Sequence, residues 1–117
     1  MNYEGKCRRL HGHNGVVEIC LQNHALDPHG MVCDFGEVKR KALEYIDTYL
    51  DHRTLLRADD PLIDLLRNAG ESPFVMKENP TAENIAKLIF EELYKQKFPV
   101  ISIKLWETEH AWAEYRP

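Results

Sequence analysis

Apolar and polar side chains alternate along several short stretches, which is the pattern of half-buried β-strands. The clearest stretch is residues 100–106, where Ile101, Ile103 and Leu105 fall on one side and Ser102 and Lys104 on the other. Other predicted strands are residues 15–22, 72–77 and 111–115. A tight turn near residues 108–110 joins the strands 100–106 and 111–115, so these two are expected to pair in antiparallel fashion.

Apolar positions spaced by three and four residues predict two long helices. The first begins near Gly36 and ends near Tyr49, with an apolar stripe formed by Val38, Ala42, Tyr45, Ile46 and Tyr49. The second follows Asn79-Pro80-Thr81, with Thr81 as its N-cap. Its predicted buried face consists of Ile85, Leu88, Ile89 and Leu93. A short helix between the two begins after Asp59-Asp60-Pro61 and stops at Gly70. Two long helices over a mostly antiparallel sheet predict an α+β fold.

Length and charge limit the possible classes of protein. The 117 residues fit a single domain, residues 1–117, and the formal net charge of −4 argues against a nucleic-acid-binding protein. No apolar run reaches the roughly 18 residues that span a bilayer, and residues 1–6 contain no hydrophobic export segment. We therefore expect a cytoplasmic protein without membrane contact. The three cysteines form no C-x-x-C pair, which argues against a disulfide framework.

The segment with the most side chains that can bind a metal or act in catalysis contains Cys7, His11 and His13. Histidines two residues apart at the start of a strand point to the same side, so both imidazoles can reach one metal ion. An H-x-H pair alone is also compatible with two half-exposed polar residues. Cys7, four residues upstream, favours a metal site, either as a third ligand or as a thiol whose pKa the nearby positive charge lowers until it can act as a base.

Two further positions carry ionisable groups that suit catalysis. Asp51 can orient His52 and raise its basicity, provided that the helix unwinds there, because adjacent residues do not face each other on a helix. The alternative is a histidine placed favourably at a helix C-terminus. Glu107 ends a strongly apolar strand, where a carboxylate can accept a paired hydrogen bond from an amidine-like N–H edge such as that of a pterin. The alternative is a solvated strand end.

Four motifs occur in order between Tyr3 and Tyr115: Cys-x₃-His-Gly-His-Asn, Leu-Asp-His, Asn-Pro-Thr-x-Glu-Asn and Trp-Glu-Thr. Together they resemble the 6-pyruvoyl-tetrahydropterin synthase family, and most closely its bacterial 6-carboxytetrahydropterin synthase branch. Residues 30–35 also match the family's Gly-Met-Val-x-Asp-Phe, with Cys33 at a position that is usually aliphatic.

The resemblance implies a tunnelling fold, in which trimers close their sheets into a barrel, two trimers form a hexamer, and active sites lie between subunits. It implies a zinc-dependent lyase that acts on 7,8-dihydroneopterin triphosphate. By motif position it implies His11 and His13 as zinc ligands, Cys7 as the base, Asp51 and His52 as a proton relay, and Glu107 with Thr108 as the pterin-binding residues.

One departure from the family concerns its first strand, which carries Phe-x-Ala-Ala-His and supplies the third zinc ligand. Only six residues precede Cys7, and none is histidine. Either Met1 is an internal methionine of a longer product, or the protein is short, binds metal weakly or not at all, and could be inactive. His24 and His29 are possible substitute ligands, and His110 could touch the substrate. A 6-pyruvoyl synthase and a non-catalytic pterin-binding subunit therefore stay open as alternatives.

Overall fold

A computed structural model describes residues 16–26, 28–51 and 53–117. The described elements are β1 (Val16–Leu21), α1 (Phe35–Tyr45), a π-helical turn (Ile46–Leu50), β2 (Leu55–Arg57), α2 (Leu62–Asn68), β3 (Phe74–Met76), α3 (Ala82–Lys95), β4 (Val100–Trp106) and β5 (Trp112–Tyr115). The α+β prediction is confirmed. None of the helices in these ranges is long and apolar enough to cross a membrane.

The main sheet has the order β1-β4-β5, and both pairings are antiparallel. Its register shifts between two neighbours on β1: Cys20 pairs with Ser102, but Leu21 pairs with Val100. Ile101 is thereby an extra residue on β4, which is the arrangement of a β-bulge. The bulge turns Val100 toward the core and leaves Ile101 only half-buried. The prediction that Ile101, Ile103 and Leu105 share one face of the strand is therefore right for Ile103 and Leu105, which face the core, but wrong for Ile101.

The core lies between this sheet and helices α1 and α3. Ile103 is fully buried at its centre, next to residues of α3 and to Ala42 of α1. The buried face of α3 consists of Ala82, Ala86, Ile89, Phe90 and Leu93. The prediction is confirmed for Ile89 and Leu93, whereas Leu88 is half-buried outside this cluster. Ala86 has no exposed surface, and its small side chain suits a position where helices and sheet approach closely.

Helix starts follow the capping chemistry of the sequence. The Asp34 carboxylate accepts hydrogen bonds from the backbone N–H groups of Gly36 and Glu37, at 2.9 and 3.4 Å. Thr81 Oγ1 accepts from the N–H of Asn84 at 3.2 Å, so its predicted role as an N-cap is confirmed. Such side-chain acceptors satisfy N–H groups that have no partner in the first helical turn.

A small β-α-β excursion separates the two long helices. β2 and β3 pair in parallel, and Leu56, Ile63 and Leu66 form a second, smaller core between the strands and α2. The predicted strand 72–77 corresponds to β3, but β2 was not predicted. Its three residues are too few to show a strand pattern.

The core position of Ile103 generates a stability prediction. Ile103→Ala should lower the free energy of unfolding by about 3 kcal/mol, because it removes three buried carbons and leaves a cavity. Ile101→Ala is the matched control: the same change two residues away, at a half-buried bulge position, should cost about 1 kcal/mol or less. Chemical denaturation measures both. Equal losses would contradict the bulge and restore simple alternation along β4.

Candidate active site

Of the residues that the sequence nominates, the structure describes Asp51, Glu107 and Thr108. Cys7, His11, His13 and His52 lie outside the described residues. The described candidate residues lie at two places: Glu107 and Thr108 in the turn between β4 and β5, and Asp51 at the end of the first helix.

Glu107 lies at the first position after β4, in a turn that hydrogen bonds define closely. Its backbone N–H donates to the carbonyl of Ala111 at 2.9 Å. Thr108 Oγ1 accepts from the N–H groups of His110 and Ala111, at 3.2 and 3.0 Å. This is the local side-chain-to-backbone pattern by which threonine stabilises turns. The predicted tight turn near residues 108–110 is confirmed.

The side chain of Glu107 is half-buried, and no hydrogen bond or ion pair joins its carboxylate to another described residue. A carboxylate has two oxygens and accepts hydrogen bonds only. Thr108 uses its oxygen as an acceptor within the turn, so its hydroxyl proton can still be donated. The turn thus presents two acceptor oxygens and one O–H donor on a short, rigid segment.

The β1–β4 pairing places this turn at the end of the sheet where β1 begins. Val16, the first residue of β1, pairs with Trp106, which immediately precedes Glu107. A second contact joins the same strands on the face away from the helices: Trp106 Nε1 donates to Glu18 Oε1 at 2.9 Å. Glu107 is therefore attached to the end of the sheet at which β1 begins.

Asp51 follows directly on the π-helical turn. Its N–H donates to the carbonyl of Ile46 at 2.7 Å, and its backbone is extended, with φ −70° and ψ 135°. The helix therefore ends at Leu50. The proposed orienting role of Asp51 requires such an end, because adjacent residues do not face each other on a helix. The predicted helix to Tyr49 has the correct extent, but its last turn is wider than an α-helical one. Wide turns of this kind occur often at functional sites.

The two acidic positions belong to different parts of the fold. Ile46 and Leu50, at the end of the first helix, pack against the core cluster that contains Leu93 of α3 and Val100 of β4. Burial raises the pKa of Tyr45, and the nearby carboxylate of Glu92 in α3 raises it further. After α3 the chain enters β4 at Val100, whereas Glu107 lies at the other end of that strand, about 20 Å away for seven residues. One copy of the chain therefore does not place Asp51 and Glu107 side by side.

Metal-ligating side chains do not cluster in the described ranges: no group there contains three or more of the residue types His, Cys, Asp and Glu in a suitable arrangement. His24, His29 and His110 are exposed within those ranges. Whether His24 or His29 could join His11 and His13 stays a prediction, because the latter two lie outside the described residues.

Two interactions near the site were not predicted. Arg53 Nη1 donates to the backbone carbonyl of Ser72 at 3.0 Å, across 19 positions of sequence. The Trp106–Glu18 hydrogen bond spans 88 positions. No local pattern signals either contact, although the second follows once the register of β1 on β4 is known.

Comparison with known proteins identifies the family. The model of the family described as 6-pyruvoyl tetrahydropterin synthase matches residues 1–117. A protein of Rickettsia typhi named 6-carboxy-5,6,7,8-tetrahydropterin synthase is 38% identical over 97% of this chain and 88% of its own length. One of the same name from Aquifex aeolicus is 33% identical over 95% of this chain and 76% of its own.

Solved structures agree with this result. The crystal structure of an uncharacterized protein from Wolinella succinogenes has a TM-score of 0.72 and 29% identity, covering 94% of this chain and 80% of that chain. The Caenorhabditis elegans 6-pyruvoyl tetrahydropterin synthase has a TM-score of 0.61 and 26% identity, covering 92% and 69%.

The chain therefore belongs to the 6-pyruvoyl tetrahydropterin synthase family, and the predicted fold class is confirmed. The family and the names of its relatives define a lyase-type enzyme that acts in pterin chemistry.

Proposed function

We propose that the protein is a zinc-dependent lyase that converts 7,8-dihydroneopterin triphosphate and one water molecule to 6-carboxy-5,6,7,8-tetrahydropterin, acetaldehyde and triphosphate, a reaction of queuosine biosynthesis. The observation that carries this proposal is the near full-length similarity to relatives that bear the 6-carboxy name. The position of Glu107 supports it, since its carboxylate is half-buried and has no partner among the described residues.

Pterin binding is the role proposed for the β4–β5 turn. The ring edge of a pterin carries an N–H and an amino group side by side, and a carboxylate can accept both in a paired, charge-assisted arrangement. Glu107 offers such a carboxylate on a turn that Thr108 makes rigid. The free hydroxyl proton of Thr108 can serve a ring carbonyl or nitrogen of the same substrate.

Zinc binding is the role proposed for His11 and His13. Imidazole nitrogen is an ordinary zinc ligand, and a bound zinc ion would polarise oxygens of the substrate side chain. The motif in this sequence supplies two imidazoles, whereas a catalytic zinc usually has three protein ligands. Zinc content is therefore a direct test of the proposal.

Proton transfer is the role proposed for Cys7, Asp51 and His52. Cys7 takes a proton from the substrate side chain, and the acid–imidazole pair passes protons onward. Asp51 is exposed at the end of the helical layer and is separated from Glu107 by the length of β4. A site that uses both groups therefore has to combine different copies of the chain, which favours a homo-oligomer such as a trimer or hexamer.

Two alternatives each have an observation in their favour. The C. elegans structural relative makes a 6-pyruvoyl synthase the second candidate, since the residues named above would serve both reactions. The motif supplies two imidazoles where a catalytic zinc usually has three protein ligands, which favours a non-catalytic pterin-binding subunit as the third candidate.

The product distinguishes the three functions. Purified, zinc-loaded protein incubated with 7,8-dihydroneopterin triphosphate should release acetaldehyde and triphosphate in equal amounts, measured by an alcohol dehydrogenase assay and phosphate analysis. Triphosphate without acetaldehyde would indicate the 6-pyruvoyl reaction. Neither product, together with no zinc by elemental analysis, would indicate the binding subunit.

Cys7→Ala should lower turnover by about 10²–10⁴-fold, the usual contribution of a general base, without changing zinc content. Cys20→Ala is the matched control, because Cys20 is an exposed thiol on β1 with no assigned role, and should leave turnover unchanged. Steady-state kinetics and elemental analysis measure both. Loss of zinc in Cys7→Ala would make the thiol a ligand instead of the base.

Glu107→Gln should weaken pterin binding by about 10–100-fold, because it replaces a charged acceptor by an amide that offers one acceptor oxygen. Glu109→Gln, an exposed change in the same turn, should leave affinity unchanged. Fluorescence titration with a pterin gives both dissociation constants. If the two variants bind alike, Glu107 does not contact the substrate.

A further inference from the structure

The segment that follows the first helix is joined to a distant part of the chain. Asp51 and Arg53 lie between the helix end and β2, and Arg53 Nη1 donates to the carbonyl of Ser72 just before β3. The N–H of Phe74 in turn donates to the carbonyl of Thr54 at 2.9 Å. The connection between helix and β2 is thus held against the entrance to β3 by one side-chain and one backbone hydrogen bond.

The helix side of the same segment is equally well defined. The N–H groups of Asp51 and Arg53 donate to the carbonyls of Ile46 and Leu50, at 2.7 and 3.3 Å. Tyr49 contacts the ring of Phe74 in an edge-on arrangement, with 6.2 Å between ring centres. Residues on both sides of position 52 therefore have fixed partners, although Asp51 and Arg53 are both exposed.

We infer that Arg53 is a positioning residue for the Asp51–His52 pair. This inference rests on the proposed function, in which that pair carries protons. The guanidinium of Arg53 donates to the carbonyl of Ser72, and its effect is to hold residues 53 and 54, which directly follow the pair in the chain, against the entrance to β3. Catalytic groups need such support, because a misplacement of about 1 Å can cost a hundredfold in rate.

The guanidinium also explains why the hydrogen bond can form at an exposed site. Arginine is always charged and presents rigidly oriented N–H donors, so its bond to a carbonyl is charge-assisted. Lysine keeps the charge and can donate to the same carbonyl with a more flexible side chain. Methionine keeps the aliphatic stem and removes every donor. Comparing Arg53→Lys with Arg53→Met therefore distinguishes the effect of the hydrogen bond from the effect of side-chain packing.

The test compares Arg53→Met and Arg53→Lys with wild type in turnover of 7,8-dihydroneopterin triphosphate. We expect Arg53→Met to lower kcat by about 10–100-fold with KM changed by less than about twofold, since the substrate contacts remain. Arg53→Lys should recover most of the kcat. Arg40→Met is the matched control: Arg40 makes only an exposed helical ion pair with Glu44, at 3.8 Å, and its loss should leave kcat unchanged.

A second measurement does not depend on activity. In Arg53→Met, amide hydrogen exchange at Asp51 and Arg53 should be faster than in wild type, while exchange in α3 should be unchanged. A raised KM with unchanged kcat would overturn the inference in favour of direct substrate contact. A lower melting temperature with unchanged kcat and unchanged local exchange would overturn it in favour of a purely structural role.

Asp51→Asn separates this inference from the function on which it rests. If Asp51→Asn lowers turnover and Arg53→Met does not, the positioning role of Arg53 fails and the proposed relay stands. If Asp51→Asn leaves turnover unchanged, the relay itself fails, and the positioning role fails with it.

Discussion

The antiparallel pairing of β1 with β4 is the constraint on which the described structure depends. It places Val16 beside Trp106, and thereby joins the start of the described chain to the end of the strand that Glu107 follows. The same pairing presents one continuous apolar face to α1 and α3, with the fully buried Ile103 at its centre. The bulge at Ile101 adjusts this face so that Val100 fills the core at the beginning of β4. A uniform register would place Ile101 there and leave Val100 on the opposite face.

Local chemistry was sufficient to predict the helices and the last hairpin. Thr81 and Asp34 are capping residues whose side chains accept hydrogen bonds from the first helical turn, and this effect depends only on near neighbours. The turn after Glu107 is likewise determined by the hydroxyl of Thr108. The bulge and the parallel β2–β3 pair were not predictable in this way, because each depends on a partner strand far along the sequence. For the site, the sequence nominated Asp51 and Glu107, but only the fold shows that β4 separates them.

That separation has a consequence for how a family member of this kind can work. The turn proposed to bind the substrate connects two strands of the sheet, whereas Asp51 follows the last turn of the first helix. If Asp51 and Glu107 both have the proposed roles, a small substrate has to contact groups from more than one copy of the chain. β1 and β5 are the outer strands of the described sheet, and outer strands are the places where another chain can add to a sheet.

The β2–α2–β3 excursion lies between the first helix and α3 and is held together by its own contacts. Its two strands pair in parallel, with Leu55 beside Phe74 and Arg57 beside Met76, so both strands begin at the same end of the pair. Arg53 joins its beginning to Ser72, and Arg57 reaches Asn79, the residue that starts the Asn-Pro-Thr motif, at 3.5 Å. Asn79 in turn accepts from the side chain of Asn84 in α3 through its carbonyl, at 2.9 Å. Because these contacts close the excursion at its base, its apolar residues can form a separate small core without displacing either the end of the first helix or the start of α3.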